Sequence, residues 1–588
     1  MSAIIVLLFY FIDKSSSNMD FDSLKMNPVK RFWLLLKPDQ SEIRNVYVYA
    51  FFQGMVYLSL PLGIQAIINL IQGGDINTSW VVLVSFVIGG LIINGVLQIS
   101  QLKITENLQQ KIFTRAAFEF AYRMPRIKLE ALYQYYAPEL MNRFFDVVSV
   151  QKGLSKILIE FSTASIQVIF GLILLSLYHP FFIAFSLILV VLAYVIFKLT
   201  ARVGLETSLA ESKHKYFVAH WLEELARTMV SFKLAGNTNL PLERMDTTLE
   251  KYIDARESHF KVLVYQYKLM IIFKVIITAG LLIIGSILVM EQQMNIGQFV
   301  AAEIIILLVL NSVEKLILSL ETIYDVLTSL EKIGQVTDMP LENEAGTDLS
   351  MLEVTAGLKV ELNAVSFTYP TMQVAVIDDL SITFEAGSSN LLLGDSDSGK
   401  STLMYLISGL YCPKGGYVSY QDLPQGNLNL PALRSLIGDC LREELLFEGT
   451  LLENVSMGRK AATFENVQWA MRNMGLDEFV KQLPQGYNTV IQSEGQRFSK
   501  GIVDKILLAR SIADKPKLLL IKDAFASISP VERDRIIRFL TDAERQWTLV
   551  IASSNKYIAS YFDYTALLKN GKVEKIDTFK NIKPFLNL

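Results

Sequence analysis

Apolar residues run almost unbroken through six stretches of the first half of the chain, at about 46 to 71, 80 to 102, 155 to 178, 180 to 200, 264 to 290 and 297 to 317. A helix needs about 20 apolar residues to cross the hydrocarbon layer of a bilayer, so the pattern predicts six membrane spans. The connections after the first, third and fifth spans read QGGDINTS, YHP and EQQMNI, without a Lys or Arg. The other two, 103 to 154 and 201 to 263, are long and dense in Lys and Arg. Positively charged loops stay in the cytoplasm, which predicts both termini and both long connections there and residues 72 to 79 and 291 to 296 outside. Within the long connections, 103 to 126 and 203 to 230 keep apolar residues three and four apart with charges between them, the period of a helix. Such helices carry the bundle well into the cytoplasm, since each residue adds about 1.5 Å.

Beyond about residue 320 the pattern changes. A polar, acidic stretch, QVTDMPLENEAGTDLSMLEVTAG, is followed by short apolar runs (LKVELNAVSF, SITFEAG, NLLLG, KLLLIKD, TLVIASS, TALLKNGKV) that alternate with helical periods. Strands alternating with helices predict an α/β domain with a largely parallel sheet. The resulting division is a cytoplasmic segment at 1–40, a transmembrane domain at 41–325, a linker at 326–355 and the α/β domain at 356–588.

Composition agrees with a membrane protein carrying soluble parts: 51% of the 588 residues are hydrophobic and 19% charged, and the mean hydropathy is +0.34. Those values exclude a disordered or purely soluble chain. With 55 Lys and Arg against 58 Asp and Glu, no basic excess points to a nucleic-acid partner. Two cysteines, Cys412 and Cys440, exclude a disulfide framework and a zinc knuckle; both are expected as packed thiols in a reducing compartment. The apolar run at 4 to 12 is too short to span and lacks the basic start and cleavage site of a signal peptide. It reads as an extension upstream of a start at Met19 or Met26.

The strongest chemical motif is GDSDSGKST, Gly394 to Thr402, between the run LLL and the helical pattern LMYLISGL. It fits G-x-x-x-x-G-K-[ST] in a strand, loop, helix setting. Loop amides from Gly394 through Ser396, Asp397, Ser398 and Gly399, with Lys400 and Thr402 at the helix start, point at phosphates, and the Ser401 hydroxyl can ligate Mg²⁺.

Six spans with long cytoplasmic helices, followed by this phosphate-binding domain, resemble an ATP-binding cassette exporter half-transporter over nearly the whole chain. Two further stretches carry the resemblance. IGDCLREELLFEGTLLENV (437 to 455) looks like the family's Q-loop region, and FSKGIVDKILLARSIADKPKLLLIKDAFASIS (498 to 529) looks like its signature and Walker B region. The span segments PLGIQAIINLIQGG and NIGQFVAAEIII look closest to the type I secretion branch, which exports peptides and proteins. The resemblance implies ATP as cofactor, a bacterial-type inner membrane, and a dimer of two copies or with another half-transporter. It implies lipid as the surrounding partner and, for the secretion branch, a periplasmic adaptor.

Against that family pattern, the catalytic positions are altered. Where the family ends its Walker B strand with Asp then Glu, holding Mg²⁺ and polarising water, this chain has Lys522 and Asp523. An ammonium cannot ligate a cation, and sliding the register to give Asp523 the metal role puts Ala524 at the base position. The switch histidine is Ser554, the D-loop aspartate Ser529 and the Q-loop glutamine Arg442. The signature reads FSKGI: Ser499 and Gly501 survive, whereas Lys500 and Ile502 replace a glycine and a glutamine. Asp397 stands where the loop has glycine. A carboxylate about 4 Å from a phosphate charge costs about 1 kcal/mol in water and about 4 at an effective dielectric of 20. Ser401 is the surviving ligand of a weakened Mg²⁺ site. Tyr369 falls where the family stacks an aromatic on adenine, and simple packing is the alternative.

Within the spans, Lys274 and Glu314 lie at matching depth counted from the outer ends. Intramembrane charges mark functional sites, unless both sit at the inner interface where the helices run on into water. Glu303, nearer the outer end, either lines a cavity or packs on polar neighbours. Two functions fit these features. One is a dimeric exporter subunit with impaired hydrolysis; the other is a catalytically silent nucleotide-binding scaffold or regulatory subunit.

Overall fold

The computed structural model describes residues 26–72, 78–133, 135–349, 357–370, 372–441, 445–495 and 497–586. The apolar run at 4 to 12, Met19, the centre of the QGGDINTS loop and Arg442 lie outside them. The chain divides into two compact units, one comprising residues up to Arg126 together with Gln134–Met339, the other Ile127–Tyr133 together with Pro340–Leu588.

The first unit is helical, and six of its helical stretches are long and apolar enough to cross a membrane: Pro28–Gln72, Thr78–Arg126, Ala137–Tyr178, Phe181–Arg227, Leu240–Met290 and Ile296–Thr337. Three of its continuous helices, Thr78–Arg123, Phe181–Arg227 and Leu240–Met290, have 46, 47 and 51 residues. At about 1.5 Å per residue each is about 70 Å or more in length, over twice the roughly 30 Å of hydrocarbon. Each therefore continues from span into extramembrane rod without a break. Side chains such as Phe86, Leu187 and Ile283 stay exposed on the outside, the pattern of a bundle whose outer solvent is lipid.

The helix Ile296–Thr337 is the innermost. Asn295 and Gln298 close a capping box at its start, and Leu320, Tyr324 and Leu327 along it have no solvent exposure. Helices approach it closely where residues are small: a Cβ added at Gly204 would sit 2.4 Å from the Tyr324 ring. The helix also corrects the linker boundary. Residues 326–337, read as linker, continue it, because the apolar period persists through Val326, Leu327, Leu330 and Val336, all buried. Part of the segment assigned to 1–40 is helical and packs with the bundle. Asn27 caps a helix at Pro28–Leu36 by accepting from Val29 N at 3.0 Å. Its Val29, Phe32 and Leu36, three and four apart, are buried in the bundle core. Arg31 pairs with Asp338, at the end of the innermost helix.

Lys274 and Glu314 form an ion pair, both partly exposed, and Glu303 is half-buried. The pairing compensates two charges that would each be costly alone in an apolar setting.

The second unit is the α/β domain. A six-stranded sheet runs in the order β12 (Lys572–Asp577), β11 (Tyr564–Lys569), β3 (Ser389–Leu393), β10 (Thr548–Ser553), β9 (Leu518–Lys522), β6 (Ile437–Cys440). It is parallel except at the β11–β12 pair. Parallel strands covered on both faces read as continuous apolar runs, and β3 and β10 are buried at every residue. A second, antiparallel sheet orders β2 (Ile377–Phe384), β1 (Val360–Phe367), β4 (Gly415–Tyr420) and β5 (Leu423–Pro424), and β7 (Gly449–Thr450) pairs with β8 (Val490–Ile491). Cys440 is buried as expected, whereas Cys412 is exposed, because it sits in the loop before Pro413 with its amide turned to the Glu130 carboxylate at 3.1 Å.

Candidate functional site

The loop from Gly394 to Gly399 joins β3 to the helix Lys400–Ile407. Gly399 stands at the helix N-cap with φ +95° and no side-chain cap, so the first helical amides keep their N–H groups for an outside acceptor. Glycine is required there: a Cβ would come within 2.8 Å of Ile377 and 3.1 Å of the Val376 carbonyl. Gly394 is held in the same way, with a Cβ 2.5 Å from the Leu568 carbonyl. Asp397 takes φ +67°, the left-handed backbone that glycine adopts freely and that a side chain strains. Its carboxylate is exposed, as is Ser396.

Lys400 Nζ donates to the carbonyls of Gly394 and Asp395, both at 2.7 Å, and to Ser398 Oγ at 3.1 Å. A phosphate must therefore replace contacts that the loop makes to its own lysine. Burial pushes the ammonium down from the usual lysine range, opposed by the carboxylates of Asp523 and Asp395, with Lys522 adding to the depression. The end of β9 thus acts electrostatically on the phosphate loop, with the Asp523 carboxylate and the Lys522 ammonium working in opposite senses.

Lys522 ends β9 and is half-buried; Asp523 follows, exposed, with φ +50° and its N–H bonded to the Ala552 carbonyl at 3.2 Å. Ser554 follows β10 and is also exposed. The three line one cleft of about 670 Å³ that also receives Lys500 and Asp504 from the helix Lys500–Ile512. Ser499 is the exposed N-cap of that helix and makes no side-chain cap bond. Gly501 is fixed by close approach, since a Cβ would sit 2.7 Å from the Ser527 carbonyl. Ser529 is engaged locally: it caps the helix Pro530–Leu540 and donates to Glu532 Oε2 at 3.0 Å, while Lys505 reaches Glu532 Oε1 at 2.9 Å.

Two carboxylates in this cleft were not singled out by sequence, Glu494 and Asp504. Burial pushes the Asp504 carboxyl up, opposed by a hydrogen bond from Ser527 and by the Lys500 charge. The signal for Asp504 was present, one helical turn beyond Lys500 and so on the same face.

Among the described residues no three His, Cys, Asp or Glu side chains converge on a possible metal position. The loop contributes the Ser401 hydroxyl, and the strand end contributes an ammonium.

Tyr369 is packed rather than open. Its ring stacks on Tyr133 at a centroid separation of 5.2 Å and an interplanar angle of 27°. Its edges meet Phe367 and Tyr411, and its hydroxyl shares a 2.9 Å hydrogen bond with Thr402 Oγ1. One ring face that a base would use is covered by Tyr133, from the segment Ile127–Tyr133 that clusters with this domain.

The family model of the ABC transporter transmembrane region matches residues 44–313, and the family model named ABC transporter matches residues 377–526. An ABC transporter B family member 14 of Arabidopsis thaliana is 32% identical over 219 residues, 37% of this chain and 17% of its own length. The alpha-hemolysin translocation ATP-binding protein HlyB of Escherichia coli O157:H7 is 24% identical over 298 residues, 51% of this chain and 42% of its own. An uncharacterized ABC transporter ATP-binding protein of Bacillus subtilis, YknU, is 29% identical over 311 residues, 51% of each. The chain thus spans from about a sixth to about half of the length of these relatives. A bacterial Atm1-family ABC exporter solved with ATP bound superposes with a TM-score of 0.81 at 18% identity, over 92% of this chain and 97% of that one.

Proposed function

We infer, from the premise that this chain is an ABC exporter half-transporter, that it works as one half of a dimer that moves a substrate out of the cytoplasm, binding ATP but hydrolysing it near background on its own. The observation that carries this reading is the site at the end of β9, where Lys522 stands beside a formed phosphate loop. The loop amides and Lys400 supply phosphate ligands, and Lys522 adds positive charge. Charge neutralisation of that kind supports binding. Turnover needs a group to take the proton of the attacking water, and Asp523, a methylene shorter than glutamate and with φ +50°, is poorly placed for it. A serine at 554 has no imidazole to reach the outer phosphate.

Dimerisation sharpens the reading. Composite sites join the phosphate loop and Walker B of one subunit to the signature of the other, and this chain alters both halves. Two copies would form two doubly impaired sites, and an intact partner would be left with two singly impaired ones. Likeness to HlyB supports a peptide or protein substrate, and with it a periplasmic adaptor in a bacterial inner membrane. The second reading, a silent nucleotide-binding scaffold or regulatory subunit, is favoured by the covered face of Tyr369.

The test is ATP affinity of the purified chain with Mg²⁺ and with chelator. The expected result is less than about threefold difference, because ammonium groups rather than a metal offset the phosphate charge. A tenfold or greater loss on chelation contradicts the assignment of Lys522.

Orientation is tested separately. With both termini and the α/β domain cytoplasmic, a cysteine at residue 293 in the Lys- and Arg-free EQQMNI turn is expected to react with an impermeant maleimide from outside intact cells. Reaction only after permeabilisation reverses the topology.

A further inference from the structure

We propose that a groove beside the Pro28–Leu36 helix binds one anionic glycerophospholipid, its phosphate held between Lys37 and Arg44 and an acyl chain laid along the apolar wall. The groove has a volume of about 260 Å³ and is lined by Trp33, Lys37, Ile43, Arg44, Tyr47 and Ile157, among others. Lys37, Gln40, Arg44 and Tyr47 recur three and four residues apart, which puts them on one face of the chain as it turns from the short helix into Gln40–Tyr57.

Charge marks this face. Of the cations nearby, Arg31 pairs with Asp338, Arg115 with Asp39 and Lys111 with Glu42. Lys37 and Arg44 are exposed, and among the described residues neither forms an ion pair. Two cations at the mouth of an apolar groove match an amphiphile with an anionic head. A free phosphate would leave the carbon-lined wall uncovered.

The wall is also irregular where a ligand would lie. Ile157 opens a five-residue π-helical turn, Ile157–Phe161, a feature that widens the helix and concentrates at functional sites. Trp33 and Tyr47 are both half-buried, aromatic types that settle at the headgroup level of a membrane. Lysines and arginines flanking the cytoplasmic end of a span attract anionic lipid. The proposal is independent of whether the chain hydrolyses ATP.

The experiment reads Trp33 fluorescence of the full chain in nanodiscs of phosphatidylcholine doped with brominated phosphatidylglycerol or brominated phosphatidylcholine. The Trp33 signal is taken as the difference from Trp33→Phe. Half-quenching is expected at a roughly tenfold lower fraction of the brominated anionic lipid, since each cation contributes several-fold to anionic-lipid binding. Lys37→Ala with Arg44→Ala is expected to abolish that preference, and Arg44→Gln alone to reduce it about threefold. Equal quenching by both lipids in the unmodified chain, or a preference that survives both variants, overturns the proposal.

Discussion

Replacing Lys522 with Asp, Asp523 with Glu and Ser554 with His, together with Lys500→Gly and Ile502→Gln, is expected to raise ATP turnover by about 10² to 10⁴. That is the range a positioned acid or base typically supplies. The first three changes alone are expected to make nucleotide binding depend on Mg²⁺ while leaving turnover within about tenfold of the unmodified chain. A composite site needs both halves, and the signature half comes from the opposite subunit. Geometry supports the order of events. Positions 522, 523 and 554 line one cleft at the strand ends, and the charges at 522 and 523 already act on Lys400 of the phosphate loop. The signature changes act at the exposed N-terminus of the helix Lys500–Ile512, where Lys500 now occupies space that backbone must approach. Steady-state phosphate release from each purified variant measures both steps. Full recovery with the first three changes alone would show that the signature as it stands, FSKGI, is competent.

The second large effect concerns nucleotide affinity. Lys400→Ala is expected to weaken ATP binding by roughly 10- to 150-fold, the range for losing a charge-assisted hydrogen bond of about 1.5–3 kcal/mol. Asp397→Gly is expected to act oppositely and tighten it by about fivefold. That estimate takes the low end of the repulsion, about 1 kcal/mol at 4 Å in water, because the carboxylate is exposed. Glycine also removes the left-handed strain at φ +67°, so the variant is expected to melt no lower than the unmodified chain. Isothermal titration with a non-hydrolysable ATP analogue reads both. Equal affinity in the unmodified chain and Asp397→Gly would show that the carboxylate turns away from the phosphates.

The spans and the phosphate loop were legible in the sequence because each is a local pattern, an apolar run of bilayer length or a glycine-spaced loop between strand and helix. Boundaries were less so. The Pro28–Leu36 helix has an amphipathic period short enough to pass for a tail, and the innermost helix outlasts its most hydrophobic stretch by keeping only one face apolar as far as Val336. Long-range partners were not legible. Tyr369 read as an even choice between adenine and packing, and the residue that covers it, Tyr133, is distant in sequence and belongs to no motif. Lys274 and Glu314 were matched in depth, but their pairing depends on how two helices turn toward each other. Asp504 and Glu494 went unseen because the family pattern gives those positions no role.

On the function proposed above, a formed phosphate loop stands beside a catalytic centre that turns ATP over only near background. The most direct measurement is Mg²⁺-dependent ATP hydrolysis by the unmodified chain purified from its native membrane, at saturating ATP, beside Lys400→Ala. The two rates are expected to coincide near background while the unmodified chain still binds ATP. Robust hydrolysis that Lys400→Ala abolishes would contradict it and place the protein among the ordinary ATP-driven exporters.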